Sequence, residues 1–208
     1  MHKYNDLKVS DSNTKQIILE AAEAEFLEKG YGTTKMMTIA KRAGVSHSML
    51  HYYFASKENL FQTIFVQKSQ TLLPLLEGII EQHLPFSETL RNLIETQFDF
   101  LARNPKLPYF LLSEILTNKE NRALLLSVIS SKLSGVYRKM RKAFDEAIEN
   151  GTIRPIAFHN LIMNAISLNV TSFVILPIVQ DFLDDDIEKL LKERCESNVQ
   201  FVLAALRP

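Results

Sequence analysis

At 208 residues, 46% of them hydrophobic, the chain is long enough to bury one sizeable core, or a small module joined to a larger one, without disulfides or metal. Its 24 basic and 24 acidic residues cancel to a formal net charge of zero, which argues against a chain that coats nucleic acid by bulk charge. The single cysteine, Cys195, excludes an internal disulfide and a cysteine-rich metal framework. The N-terminal segment is polar and lacks the apolar run a secretory signal needs, so a cytoplasmic protein is expected.

Helical periodicity runs almost throughout, and no alternating runs are joined by a hairpin turn, so the expected fold is all-α with about nine helices. The first helix is expected from Thr14, a candidate N-cap, with Ile18, Ala22 and Phe26 as its inner stripe and Gly30 as its stop. Short helices follow over 35–42 and 46–54, separated by Ala43, Gly44 and Val45. Ser56 caps a longer fourth helix that Pro74 should kink or interrupt. Five further helices are expected over 87–103, 107–117, 121–149, 157–176 and 185–206. The boundary between a small N-terminal module (1–61, with a flexible arm at its start) and a larger helical body (62–208) then lies within the fourth helix. Residues 155–180 contain no Asp, Glu, Lys or Arg. Polar side chains are nevertheless spread through that run, and it reads as a buried helix rather than a membrane span.

The second and third helices have the connection length of a helix-turn-helix. Gly44 suits the left-handed turn, Ala40 allows close crossing, and Ile39, Val45 and Leu50 can form the apolar seam. His47, Ser48, His51 and Tyr52 have no evident place in that seam. Hydroxyls, imidazoles and phenols can hydrogen-bond base edges or phosphates, and the second helix of this motif enters the major groove by its N-terminal residues. A solvated polar helix is the plainer reading. Against it, residues 32–57 carry Lys35, Lys41, Arg42 and Lys57 with no Asp or Glu.

Phe26, Gly30, Tyr31, Thr34, Ile39, Ala40, the run Ala43, Gly44, Val45, Ser46, then Leu50, Tyr53, Phe54, Ser56, Lys57, Glu58, Leu60 and Phe61 resemble the N-terminal signature of the tetracycline-repressor (TetR) family of bacterial transcription regulators. The resemblance implies a homodimer, each chain offering one reading head to half of a palindromic operator, usually for repression. It also implies a C-terminal body that binds a small-molecule effector and then releases the DNA. By position in that family, His47, Ser48 and Met49 would read base edges, with Met37 able to approach them, and Thr34, Lys35, His51, Tyr52, Tyr53 and Lys57 would grip phosphates, with Ser46 also counted in the DNA-binding set. Ser48, Met49 and His51 stand where the family more often has glycine, threonine and tyrosine.

For a dimer, the last two helices would have to supply a self-complementary patch. Ile162, Ile166, Asn169 and Phe173 recur at helical spacing in one, and Leu191, Cys195, Val199 and Val202 in the other. The same stripes would equally fill the core of one chain. An effector pocket among the middle helices would draw on Phe98, Leu101, Tyr109, Phe110, Tyr137, Met140, Phe144, Met163 and Asn164, a lining that favours a hydrophobic or amphipathic molecule. The run Asp184, Asp185, Asp186 reads as a helix cap, and Cys195 as a small hydrophobe. No cofactor is expected, and the histidines at 2, 47, 51, 83 and 159 make no ligand-spaced pair on a body helix. Two other readings compete: an all-α enzyme with a helix-turn-helix-like corner, and a DNA-binding module controlled by a protein partner.

Overall fold

The computed structural model describes residues 2–182 and 186–208, with side chains described outside 2–10, 125, 128–129 and 131–133. Among the described residues the chain forms nine helices: α1 (His2–Lys29), α2 (Met36–Ala43), α3 (His47–Tyr53), α4 (Lys57–Ile80), α5 (Phe86–Ala102), α6 (Leu107–Thr117), α7 (Lys119–Glu149), α8 (Phe158–Phe182) and α9 (Ile187–Ala204). The all-α expectation holds. Three boundaries differ. Thr14 lies inside α1, because nothing in residues 2–13 breaks a helix; those residues continue α1 rather than forming a separate arm. Helices α4 and α8 run through Pro74 and Pro177, where each proline removes one backbone donor without ending the helix. Asp186 caps α9, accepting from the Glu188 and Lys189 amides, whereas Asp184 and Asp185 lie outside the described residues.

The chain packs as two compact units. The first comprises the chain as far as Ser69 together with Glu114–Leu124, and the second comprises Gln70–Ser113 and Leu125–Pro208. The first unit therefore extends past the expected division at 61/62, because Ile64 and Phe65 of α4 remain buried after Leu60 and Phe61.

In the first unit Phe26 of α1, Ile39 of α2, and Leu50 and Phe54 at α3 are all at most 1% exposed. Burial of each such side chain contributes about 1.5–3 kcal/mol. The rings of Phe26, Tyr31 and Phe61 pack at centroid distances of 5.3–6.3 Å. An ionic clasp joins α1 to α2. Glu25, 4% exposed, accepts from Lys29 at 2.6 Å and from Arg42 at 3.0 Å, and Arg42 also forks onto Glu28 at 2.6 and 2.7 Å. Lys29 first, and Arg42 with it, hold the Glu25 carboxyl below the usual carboxylate range against the opposing effect of burial.

In the second unit α5, α8 and α9 pack together. Their polar layer is closed on itself: Asn169 Nδ2 donates to the Ile94 carbonyl at 2.9 Å and to Gln97 at 3.1 Å, Asn198 donates to Asn169 Oδ1 at 3.1 Å, and Arg194 Nε donates to Ser172 at 3.1 Å. Among the described residues no buried side-chain polar atom lacks a partner. Around this layer the core is apolar, with Phe144 against Phe86 and Phe158 at 5.5 and 5.0 Å.

A carboxylate with a depressed folded-state pKa stabilises fully above its unfolded value, and that stabilisation is lost as pH falls through the folded value. Glu25→Gln is therefore expected to lower unfolding stability at neutral pH by roughly 1–3 kcal/mol. The difference from the parent chain should shrink once the pH drops below about 4. Denaturant melts of both proteins across pH check this.

Candidate nucleic-acid interface

The α2–α3 corner is set by backbone geometry. Gly44 adopts φ 68°, ψ 24°, a left-handed conformation disfavoured for residues with a Cβ, while the Val45 amide returns to the Ala40 carbonyl at 3.0 Å. Ser46 then caps α3, its Oγ accepting from the Met49 amide at 3.1 Å. With Leu50 turned inward, Ser48, His51 and Tyr52 fall away from it around the helix, while His47 stands at the open start of α3 one turn before Leu50; all four are exposed, Tyr52 at 78%. On α2, Met37 (69% exposed) and Lys41 share an outer face one turn apart. Lys35 is exposed at the start of α2.

Most of the expected interface residues are exposed on α2 and α3, with four differences. Thr34 is buried, and its hydroxyl lies 2.8 Å from the Gly30 carbonyl and 3.1 Å from that of Glu25, so it serves the α1–α2 turn. Lys57 Nζ donates to the Tyr31 carbonyl at 2.8 Å and the Thr34 carbonyl at 3.1 Å and lies 4.4 Å from the Tyr31 ring centre. It holds the same turn from the other side rather than reaching outward. Ser46 is exposed, but its Oγ is engaged by the cap and by Ser48 Oγ at 3.0 Å. Tyr53 is half-buried and donates its hydroxyl to Asp11, which pushes the phenol pKa upward. Tyr31, buried and donating to Glu58 at 2.8 Å, is likewise raised, by burial first and Glu58 second. Sequence reading passed over Lys41 as a contact residue, although its place in the acid-free stretch was the available signal.

The expected body sites are redistributed. Phe98 and Leu101 pack with Phe173 and Leu176, the Phe98 and Phe173 rings 4.9 Å apart. Met140 and Phe144 belong to the larger core cluster, Phe110 is buried, and Tyr109, Tyr137, Met163 and Asn164 are exposed. Two open depressions of about 220 and 210 Å³ are present among the described residues of the second unit, and of the expected effector set only Asn164 lines either. The expected pairing stripe is corrected too. Asn169, Phe173, Val199 and Val202 are buried within the chain, and Ile162, Leu191 and Cys195 are half-buried; of that set only Ile166 is exposed. Burial, with Asp99 and Glu95 nearby, pushes the Cys195 thiol up to about 11, which suits an inert small hydrophobe. Nor is α8 the buried helix expected: it is long and apolar enough to cross a membrane by composition, with mean hydropathy 1.9 in its most apolar window, yet only 28% of that window is buried.

Residues 18–64 match the family model described as bacterial regulatory proteins, tetR family. The chain is 26% identical over 142 residues to an uncharacterized HTH-type transcriptional regulator, YhgD, of Bacillus subtilis, covering 68% of this chain and 72% of the relative. It is also 26% identical over 137 residues to the fatty acid metabolism regulator protein of the same organism, covering 66% and 69%. Residues 18–64 therefore carry the TetR-family N-terminal domain. The fold agreement extends along nearly the whole chain. The crystal structure of the transcriptional regulator FadR from Bacillus subtilis, in complex with stearoyl-CoA, superposes with a TM-score of 0.69 at 20% identity, covering 92% of this chain and 99% of that one.

Lys35 and Lys57 now carry different expectations. Lys35→Ala should leave the melting temperature unchanged and lower the slope of log affinity for duplex DNA against log salt by about 0.9, one phosphate's share. Lys57→Ala should lower the melting temperature and leave that slope close to its original value. Salt titrations by fluorescence anisotropy, paired with thermal melts, separate the two.

Proposed function

We propose that this TetR-family regulator binds a palindromic operator as a homodimer, represses transcription from it, and lets go when its body takes up a hydrophobic or amphipathic small molecule. The observation that carries the DNA half is the exposed, acid-free surface of α3, with His47, Ser48, Met49, His51 and Tyr52, and of the preceding α2, with Met37 and Lys41. Hydrogen-bonding groups of that kind on an N-terminally capped helix suit base edges and phosphates. In this reading the first unit reads DNA, the second pairs and senses, and the protein works in the cytoplasm without catalysis.

The pairing surface is the outward side of α8. Met163, Ile175, Ile178 and Phe182 are 62%, 42%, 60% and 82% exposed, and Phe201 of α9 is 66% exposed. A second copy would cover this uncharged strip isologously, two helices from each chain, and so account for an apolar helix that its own chain buries on one side only. For the effector, support comes from the relative named for fatty acid metabolism and the stearoyl-CoA complex of the fold neighbour. A long-chain acyl thioester is accordingly the first compound to try.

Selection of bound duplexes from random DNA should yield a palindrome with half-site centres about 34–36 Å apart on a straight duplex. Enrichment of nothing, or of a lone half-site, would contradict the reading. Ile178→Glu should keep the helical content and shift the sedimenting species from dimer to monomer, and an undisturbed dimer would place the pairing surface elsewhere. Stearoyl-CoA should displace the selected duplex, whereas displacement only by a protein partner would favour control by protein.

A further inference from the structure

Two imidazoles of α3 stand one turn apart on the same exposed side: His47 and His51, ring centroids 4.5 Å from each other at an interplanar angle of 75°. The i, i+4 spacing is the one by which two histidines on a helix grip a single zinc ion in metalloproteases, because it stacks the side chains on one face. We propose that His47 and His51 form a bidentate site for a divalent transition-metal ion of the zinc, nickel and copper class, and that the ion and duplex DNA compete for this face of α3.

The chemistry selects the ion. Imidazole nitrogen suits zinc, nickel and copper, whereas magnesium and calcium require oxygen ligands. Residues 32–57 contain no Asp or Glu that could supply such oxygens locally. Both rings are exposed, so turning about their side-chain bonds can bring one nitrogen from each to the roughly 2.0–2.1 Å at which zinc is held. Two protein ligands leave the remaining coordination positions to water. The site is therefore an open, exchangeable one rather than a structural metal centre.

The competition follows from shared atoms. An imidazole nitrogen that coordinates an ion no longer accepts from or donates to a base edge, and the hydrated ion stands off the helix where α3 would have to approach the groove. Linkage makes the effect reciprocal, since whatever factor the metal takes from DNA affinity, DNA takes from metal affinity. This second half rests on the DNA-binding reading, and the metal site itself does not.

The test uses the full chain freed of metal by chelation, with zinc chloride as the probe. Calorimetric titration of the parent, His47→Gln and His51→Gln proteins should show about one site per chain that either substitution weakens roughly tenfold or more, as expected when a chelate loses one arm. Equal zinc affinity in all three proteins, or loss in only one variant, would overturn the site. Because both positions are exposed, thermal melts should be unchanged, and nickel should broaden the imidazole resonances of His47 and His51 together in the parent chain before those of His83 and His159; the reverse order also overturns the site. Repeating the zinc titration with the selected duplex bound should weaken it by the same factor by which zinc weakens the duplex. Unchanged or tighter zinc binding on DNA would overturn the competition. A chain that bound zinc through this pair but no duplex at all would overturn the DNA reading, and with it the competition, while leaving the metal site standing.

Discussion

A single backbone constraint decides which way α3 faces. The left-handed turn at Gly44, with the Val45 amide returning to Ala40, sets the direction of α3 after α2, and Ile39 and Leu50 are both fully buried. No neighbouring atom lies within 4 Å of where a Cβ at Gly44 would stand, so a side chain there would cost only the backbone strain of about 1–2 kcal/mol. Losing the Leu50 side chain would cost more, about 2–5 kcal/mol for a buried leucine cut back to alanine. Once Leu50 is fixed inward, the helix period turns Ser48, His51 and Tyr52 away from the core, and His47 is exposed at the first position of α3.

Charge in the same unit is arranged to hold this geometry rather than to advertise it. Arg42 is clamped by Glu25 and Glu28, and Lys57 caps the carbonyls of Tyr31 and Thr34, so two of the four cations in the acid-free stretch point at the protein itself. What the outer side of α2 and α3 presents is mainly neutral hydrogen-bonding groups, with Lys35 and Lys41 at hand. Such a surface favours discrimination between sequences over indiscriminate adhesion to phosphate, in keeping with a chain whose net charge is zero. The body uses polarity differently. The Asn169, Asn198, Ser172 and Arg194 layer fixes α8 and α9 against each other and against α5, and it leaves the charge-free outer side of α8 uncovered by its own chain.

Much of this was legible in the sequence, for reasons that also explain what was not. Helices announced themselves through apolar spacing, and Gly30, Gly44, Ser46 and Asp186 ended or capped them as their local chemistry demands. The exposed set on α3 followed from Leu50 being the evident core residue. Thr34 and Lys57 were misassigned because position in a motif does not say where a hydroxyl or an ammonium group will turn, and here both found backbone carbonyls. The α8 and α9 stripes were ambiguous in principle: spacing of three and four describes any buried seam, and it proved to be the one inside the chain, while the outward strip of Met163, Ile175 and Ile178 carries the same residue types. The large apolar residues of the body were likewise readable as apolar but not as cavity or core, and Phe98, Met140 and Phe144 turned out to be core.

The most direct measurement is a methyl spectrum of the chain labelled at its six methionines, recorded as a selected operator duplex is added. The account expects Met37 and Met49, on the outer sides of α2 and α3, to shift, while Met140 in the apolar core of the body stays in place. Binding that moved the body methyls and left Met37 and Met49 undisturbed would mean that α3 does not meet the DNA, and the account would fail.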